Sequence, residues 1–406
     1  MVENASSKKA KSENFITKFA TYYTPAVVLI AIILAIFPPL LLEGATFSEW
    51  IYRALSFLVV SCPCALVISV PLSFFGGIGG ASKVGVLVKG SNYLEALANT
   101  EIAVFDKTGT LTKGVFEVQQ VNPVGISKER LLETVAYAEY YSNHPIAQSV
   151  KKAYGKEILE NKIIQTQELS GLGIEAKIEE ETVLVGNDKL LKEKQISYEP
   201  CKELGTVLYV AIDGMYVGYI LIADTIKEDA KSTILKLKKN YIKQVVMLTG
   251  DKKEVGEKVA KEIGVDAVYS ELLPSDKVEK VEELLHKKSA KGKVAFVGDG
   301  INDAPVLALA DIGIAMGGLG ADSAIEAADV VLMTDEPSKI LQAIQIAKKT
   351  MRIVKENIVF AIAIKIGVLI LTAFGLSTMW QAVFADVGVS VIAILNALRA
   401  LHVRKG

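Results

Sequence analysis

Three acidic turns carry the residue types that phosphoryl chemistry needs. Asp106-Lys107-Thr108-Gly109-Thr110-Leu111-Thr112 follows an apolar run at 102–105. Thr249-Gly250-Asp251 follows one at 245–248, and Gly298-Asp299-Gly300-Ile301-Asn302-Asp303-Ala304-Pro305 follows one at 294–297. A carboxylate at such a strand end can act as a nucleophile and form an acyl phosphate. A phosphoryl group in transfer carries its charge on oxygens, so the remaining work is positioning and cation clamping. Asp106 is the candidate nucleophile. Asp299 and Asp303, four residues apart, can hold magnesium, a cation that takes oxygen ligands and keeps waters. Thr249 and Lys277, the latter in Leu273-Pro274-Ser275-Asp276-Lys277, can contact the phosphate. Each turn alone is ordinary. Their shared placement, each directly after an apolar strand, points to chemistry.

A second set lies in apolar surroundings. Ser61-Cys62-Pro63-Cys64 sits inside a hydrophobic stretch, where Pro63 must interrupt the helical hydrogen-bond ladder. Broken helices at membrane depth are tolerated mainly at cavities and binding sites. Thiolates suit copper(I), zinc or cadmium rather than magnesium or calcium. Lys365 and Asp386 fall within two further apolar stretches, and ionisable residues at such depth mark a functional path. A divalent ion held by Cys62, Cys64 and Asp386 leaves a site charge of −1 with both thiols ionised, which Lys365 can neutralise as counter-ion. Cys201 reads as an ordinary residue.

The elements that must position these residues follow from hydropathy. Of 406 residues, 51% are hydrophobic, yet 22% are charged, so the two properties are segregated along the chain. Apolar stretches at 25–42, 51–75, 358–374 and 379–398 each approach the ~20 residues that span a bilayer. The loops at 43–50 and 375–381 carry no Lys or Arg, whereas Lys8, Lys9, Lys11, Lys18, Arg399, Arg404 and Lys405 flank the other ends. The positive-inside rule puts both termini and the segment 81–356 in the cytoplasm, with two hairpins outside. Within that segment, short buried strands alternate with helical patterns, the mark of a doubly wound parallel sheet. Its ligands sit at the carboxyl ends of strands, where the acidic turns fall. A block at 116–214, with its own alternating strands at 182–185 and 207–212, reads as an inserted domain. The net charge of −1 gives no reason to expect nucleic-acid binding, and three cysteines make no disulfide framework.

The three acidic motifs resemble the phosphorylation domain of P-type ATPases, within the haloacid dehalogenase superfamily. The resemblance implies a membrane α-helical part with four transmembrane helices, plus an α/β haloacid dehalogenase-like domain with an inserted α+β nucleotide-binding domain. Its expected parts are a linker at 1–20, helices at 21–80 and 350–400, a phosphorylation domain at 81–115 and 215–349, nucleotide binding at 116–214 and a tail at 401–406. It places Asp106, Lys107, Thr108, Thr249, Gly250, Asp251, Lys277 and Asn302 in the catalytic set, with Asp106, Thr108, Asp299 and Asp303 about magnesium. The superfamily's phosphatases usually carry an acidic residue two positions after the nucleophile, as general acid; Thr108 stands there, which favours a long-lived phosphoenzyme. Glu139, Ser142-Asn143-His144-Pro145 and Gly171-Leu172-Gly173 resemble the heavy-metal subfamily, where Glu139, His144, Pro145, Gly171 and Gly173 would surround ATP. Asn357 with Lys365, and Asp386 with Gly388, resemble its zinc/cadmium/lead class.

The expectation is therefore ATP-driven export of zinc or cadmium through an aspartyl phosphate, by a multi-pass protein of the plasma membrane with cytoplasmic catalytic domains. The family's actuator domain, with its Thr-Gly-Glu loop, has no counterpart in this sequence. The resemblance thus implies an incomplete pump, with an actuator-containing portion separate or missing. Rival readings are a copper-transporting ATPase, a non-transporting fragment and a membrane-anchored phosphatase.

Overall fold

A computed structural model describes residues 11–42, 44–201, 203, 205–299, 303–317 and 322–402. Asn302, and the flanking cations Lys8, Lys9, Arg404 and Lys405, lie outside the described residues. The chain opens on apolar helices α1 (Lys11–Leu41), α2 (Phe47–Val60) and α3 (Cys64–Lys83). Strand β1 (Val86–Val88), helix α4 (Ser91–Ala98) and β2 (Thr100–Asp106) lead to the first acidic turn. Then come β3 (Thr112–Pro123), α5 (Lys128–Ala138), α6 (Pro145–Tyr154), β4 (Ile163–Leu169), β5 (Gly173–Ile178), β6 (Glu181–Gly186), β7 (Thr206–Ile212) and β8 (Met215–Ile226). Strands β9 (Gln244–Leu248), β10 (Ala267–Tyr269), β11 (Lys293–Gly298), β12 (Ile312–Met316) and β13 (Val330–Leu332) are interleaved with short helices. Helices α7 (Ser338–Ala373) and α8 (Met379–Leu398) follow.

Two sheets result. The first has the order β1-β13-β12-β11-β2-β9-β10. Strands β11, β12 and β13 run parallel, and β1 adds an antiparallel edge. Its strands are apolar on both faces: Ile102, Ala103, Val104 and Phe105 are buried, as are Val294, Ala295, Phe296 and Val297. A sheet covered on both faces demands such continuous runs. The second sheet is antiparallel, with the order β3-β8-β7-β6-β5-β4. Its central strands β6 and β7 are buried on both faces, with Leu184, Tyr209 and Ala211 packing on Leu190 and Leu191 on one of them. Val183, Val185, Val210, Ile220 and Ile222 close on Leu131 and Val135 of α5 and Val150 of α6.

The chain divides into two compact units. One comprises the described residues up to 104, with 233–246 and those from 274 onward; the other comprises 105–232 and 247–273. The six-stranded sheet extends past the block at 116–214, because β3 begins at Thr112 and β8 ends at Ile226. Asp213-Gly214, which reads as a domain end, is the tight turn of the β7–β8 hairpin, with φ of 49° and 78°. Positive φ at both turn residues is what such a hairpin needs.

In the first unit the stretch at 51–75 is two helices rather than one. Helix α2 stops at Val60, and Pro63 is the residue that starts α3. Helix α7 is continuous over 36 residues, about 54 Å at 1.5 Å per residue, so the stretch at 358–374 is its apolar end rather than a separate element. By length and composition, Thr21–Leu41, Phe47–Lys83 and Met379–Leu401 are long and apolar enough to cross a membrane.

Candidate functional site

Asp106 closes β2 and is buried, at 5% exposure. The following loop turns sharply at Gly109, whose φ of 71° is a left-handed value that glycine adopts without strain. Gly114 packs against it, since a Cβ there would stand 3.2 Å from the Gly109 backbone. Side-chain bonds from Asp224 and Lys227 hold this loop. Asp224 accepts from the Gly114 N–H at 3.0 Å and contacts the Thr112 hydroxyl, which also lies 2.9 Å from the Lys107 carbonyl. Lys227 Nζ donates to the Gly109 carbonyl at 2.6 Å.

Lys107 is buried and sits between two carboxylates, 2.6 Å from Asp251 and 3.5 Å from Asp224. A buried ammonium is tolerated only when paired; here the pairing ties the first acidic turn to the second. That second turn is braced in its own right. Thr249, buried, donates its N–H to the Tyr269 carbonyl and accepts the Asp251 N–H on its hydroxyl at 3.1 Å. Glu271 and Leu272 donate back to the Asp251 and Thr249 carbonyls. Gly250 lies close beneath, its virtual Cβ 3.2 Å from the Leu272 carbonyl. Thr108, by contrast, is exposed.

In the other unit, Asp299 follows β11 and Asp303 stands at the start of the next helix. Lys277 Nζ donates to Asp303 Oδ1 at 2.9 Å, with both side chains largely buried. Gly298 must be glycine, because a Cβ there would stand 2.7 Å from the Asp303 carboxylate.

Within the antiparallel domain, Glu139 ends α5 and is 7% exposed. Burial raises its pKa above the ordinary glutamate value, opposed by the Ser142 hydroxyl and the charges of His144 and Lys151. His144 caps α6, its Nδ1 accepting the Ile146 N–H at 3.3 Å, and Pro145 takes the first helical position. Lys151 donates to the Tyr140 and Ser142 carbonyls and so fixes the turn. The two glycines differ. Gly171, φ 73°, has open space where a Cβ would stand, and its carbonyl accepts from Asn187. Gly173 serves the sheet instead: its Cβ would lie 2.1 Å from the Val185 carbonyl. The space beside the backbone is thus open at Gly171 and filled by the neighbouring strand at Gly173.

The apolar helices enclose a cavity of about 170 Å³, lined by Tyr23, Pro63, Leu66, Lys365, Asp386 and Val389 among others. Lys365 Nζ donates to Asp386 Oδ1 at 2.7 Å and to the Cys62 carbonyl at 2.6 Å. That carbonyl is available because the α2–α3 break leaves it outside the helical ladder. Tyr23 donates its hydroxyl to the Ser61 carbonyl at 2.9 Å. The two thiols read as separate ligands are joined to each other, Cys62 to Cys64. Pro63 brings the sulfurs together, and the pair offers thiolates only when reduced. Asn357, buried, donates to the Ala393 carbonyl at 3.0 Å and accepts from Asn396, pinning α7 to α8. Cys201 packs among Tyr209, Tyr216 and Tyr219 as an ordinary half-buried residue.

Asp224, Lys227 and Tyr23 were not legible as site residues. Asp224 carried one signal, a carboxylate interrupting the apolar strand of 217–223; Lys227 and Tyr23 carried none.

An aspartate that closes a buried strand with a lysine after it, and further acidic turns that each follow an apolar strand, are the features of a phosphoryl-handling α/β fold. The haloacid dehalogenase-like hydrolase family matches residues 100–311, and the chain belongs to that family, in its P-type ATPase branch. A cadmium, zinc and cobalt-transporting ATPase of Bacillus subtilis (strain 168) is 60% identical over 405 residues, covering 100% of this chain and 58% of that protein. A zinc-transporting ATPase of Synechocystis sp. (strain ATCC 27184 / PCC 6803 / Kazusa) is 55% identical, covering 98% of this chain and 55% of that one. A crystal structure of a zinc-transporting PIB-type ATPase in its E2.Pi state superposes with a TM-score of 0.85 at 36% identity, over 99% of this chain and 66% of that one. The chain spans little more than half the length of these two curated relatives.

Proposed function

We propose that this chain is the phosphorylated, metal-binding portion of an ATP-driven exporter of zinc or cadmium. The observation that carries the reading is the Lys365–Asp386 pair, set in a cavity at the broken helix of Cys62 and Cys64. A carboxylate and two sulfurs suit a thiophilic divalent ion. With the pair reduced and ionised, three ligand charges against +2 leave −1, which the Lys365 ammonium cancels. Copper(I) would leave the site at −2 with the same ligands and −1 even with Lys365, so the pair favours a divalent cargo. When cargo is absent, Lys365 neutralises Asp386 directly.

Asp106 attacks the γ-phosphorus of ATP; the carboxylate O–P bond forms as the bond to the bridging oxygen breaks, and ADP leaves. Lys107, held by Asp224 and Asp251, fixes the loop. Thr249 and Lys277 contact the phosphoryl oxygens, with Gly250, Asp251 and Asn302 completing the set. Asp106, Asp299 and Asp303, with the Thr108 backbone, would hold magnesium, a cation that takes an all-oxygen set. Bound there, magnesium would supply positive charge against the transferred group. Glu139, His144, Pro145 and Gly171 supply the ATP base site, and Gly173 holds the strand beneath it. The setting is the plasma membrane, with the sheet domains in the cytoplasm.

Cadmium bound by thiolate gives a near-ultraviolet charge-transfer band. The reduced protein in detergent should gain it at one equivalent of cadmium, and Cys62→Ala or Cys64→Ala should remove most of it. Asp386→Ala should weaken binding and keep the band. Equal cadmium binding by the wild type and the double cysteine variant would overturn the assignment. Binding of copper(I) without zinc or cadmium would overturn the divalent class.

A further inference from the structure

Helix α7 changes character midway, and there it lines a groove of about 1470 Å³ beside α4. Lys348, Arg352, Lys355 and Val359 line it and follow one another by four, three and four residues along α7. At about 100° per residue this keeps all four within one narrow face of the helix. The face is therefore three cations followed by an apolar continuation, Val359 and Phe360, of which Val359 is 68% exposed.

Five cations line the groove, Lys291, Lys293, Lys348, Arg352 and Lys355, against three carboxylates, Glu95, Asp311 and Glu356. Asp311 is already held by Lys288 and Lys293, and Glu356 pairs with Arg399. Lys348 leans over the Tyr241 ring. Arg352 and Lys355 are exposed, and neither makes an ion pair among the described residues. Exposed basic residues directly above exposed apolar ones, on a helix that continues into an apolar run at 358–371 interrupted by Lys365, match the level of lipid headgroups.

We propose that this groove binds an anionic phospholipid, its phosphate between Arg352 and Lys355 and an acyl chain along Val359 and Phe360. Charge complementarity favours the anionic headgroup over a zwitterionic one. The apolar continuation distinguishes a lipid from free phosphate, which would use only the upper part. The inference rests on reading α7 as membrane-spanning, and does not require the transport chemistry.

The test is native mass spectrometry of the detergent-purified full chain, offered phosphatidylglycerol or phosphatidylcholine with identical acyl chains. Two basic residues at the surface predict a preference for phosphatidylglycerol of roughly tenfold or more. R352Q/K355Q should abolish that preference, R352K/K355R should keep it, and circular dichroism should be the same for all three. Equal retention of the two lipids by the wild type overturns the proposal. Undiminished preference in R352Q/K355Q also overturns it, and would point to another occupant such as a protein segment. Displacement of the lipid by millimolar inorganic phosphate would reduce the site to a free-anion site and overturn the lipid assignment. Carbonate extraction of membranes separates the underlying reading: release of the chain into the supernatant refutes a spanning α7, whereas a retained chain without lipid preference refutes the groove alone.

Discussion

Lys107 is a buried ammonium with two carboxylate partners, Asp224 on β8 and Asp251 in the turn after β9, and removing it takes the cation from both. Breaking a buried pair by deleting one partner costs about 3–5 kcal/mol. Asp251 is partly exposed, so the lower end applies. Lys107→Ala should lower unfolding stability by about 3 kcal/mol in a urea titration, whereas Lys107→Ala with Asp224→Asn should recover part of the loss. Glu139 gives a pH-dependent counterpart. Its folded pKa is raised by burial above 4.5, so the folded state binds its proton more tightly than the unfolded chain does. The stability this gives is present at low pH and is lost as pH rises through the folded pKa. Glu139→Gln should therefore be more stable than the wild type at pH 7, and the difference should vanish below pH 4.5. The same variant should bind ATP more weakly, measured by isothermal calorimetry, because it loses the buried charge. Asp106, Thr249, Asp299 and Asp303 were legible as candidates because their turns follow apolar strands, and Lys277 from its Leu273-Pro274-Ser275-Asp276 context. Asp224 and Lys227 were not: they reach the Asp106 loop only through the β3–β8 pairing, more than 100 positions along the chain.

At the scale of elements, the break between α2 and α3 is the feature with the largest consequence. Ser61, Cys62 and Pro63 leave the ladder, and the Cys62 carbonyl then takes the Lys365 ammonium. Pro63→Ala restores the missing N–H and favours a continuous helix. A hydrogen bond to a charged group is worth about 1.5–3 kcal/mol, so cadmium affinity should fall roughly tenfold or more. Helical circular dichroism should hold or rise. Unchanged affinity, with helicity raised, would show that the break does not shape the site. The strands were legible because continuous apolar runs admit few other folds. The limits of the inserted domain were not, because Asp213-Gly214 is a hairpin turn whose sequence is indistinguishable from a domain junction. The continuity of α7 was equally hidden: a helix that passes from polar to apolar surroundings changes its composition and keeps its period.

For the molecule as a whole, the sheet proposed to be phosphorylated and the charged cavity among the apolar helices occupy one chain, and β1 and α4 lead directly from α3 to β2. A single polypeptide carrying both is what coupling of phosphorylation to ion movement requires. The central claim is that Asp106 becomes an acyl phosphate, and acid-quenched labelling tests it most directly. The full chain is incubated with γ-labelled ATP and magnesium, denatured in acid and treated with hydroxylamine. The account predicts label on the wild-type protein that hydroxylamine removes, and none on Asp106→Asn. Label that resists hydroxylamine, or that persists in Asp106→Asn, would contradict it.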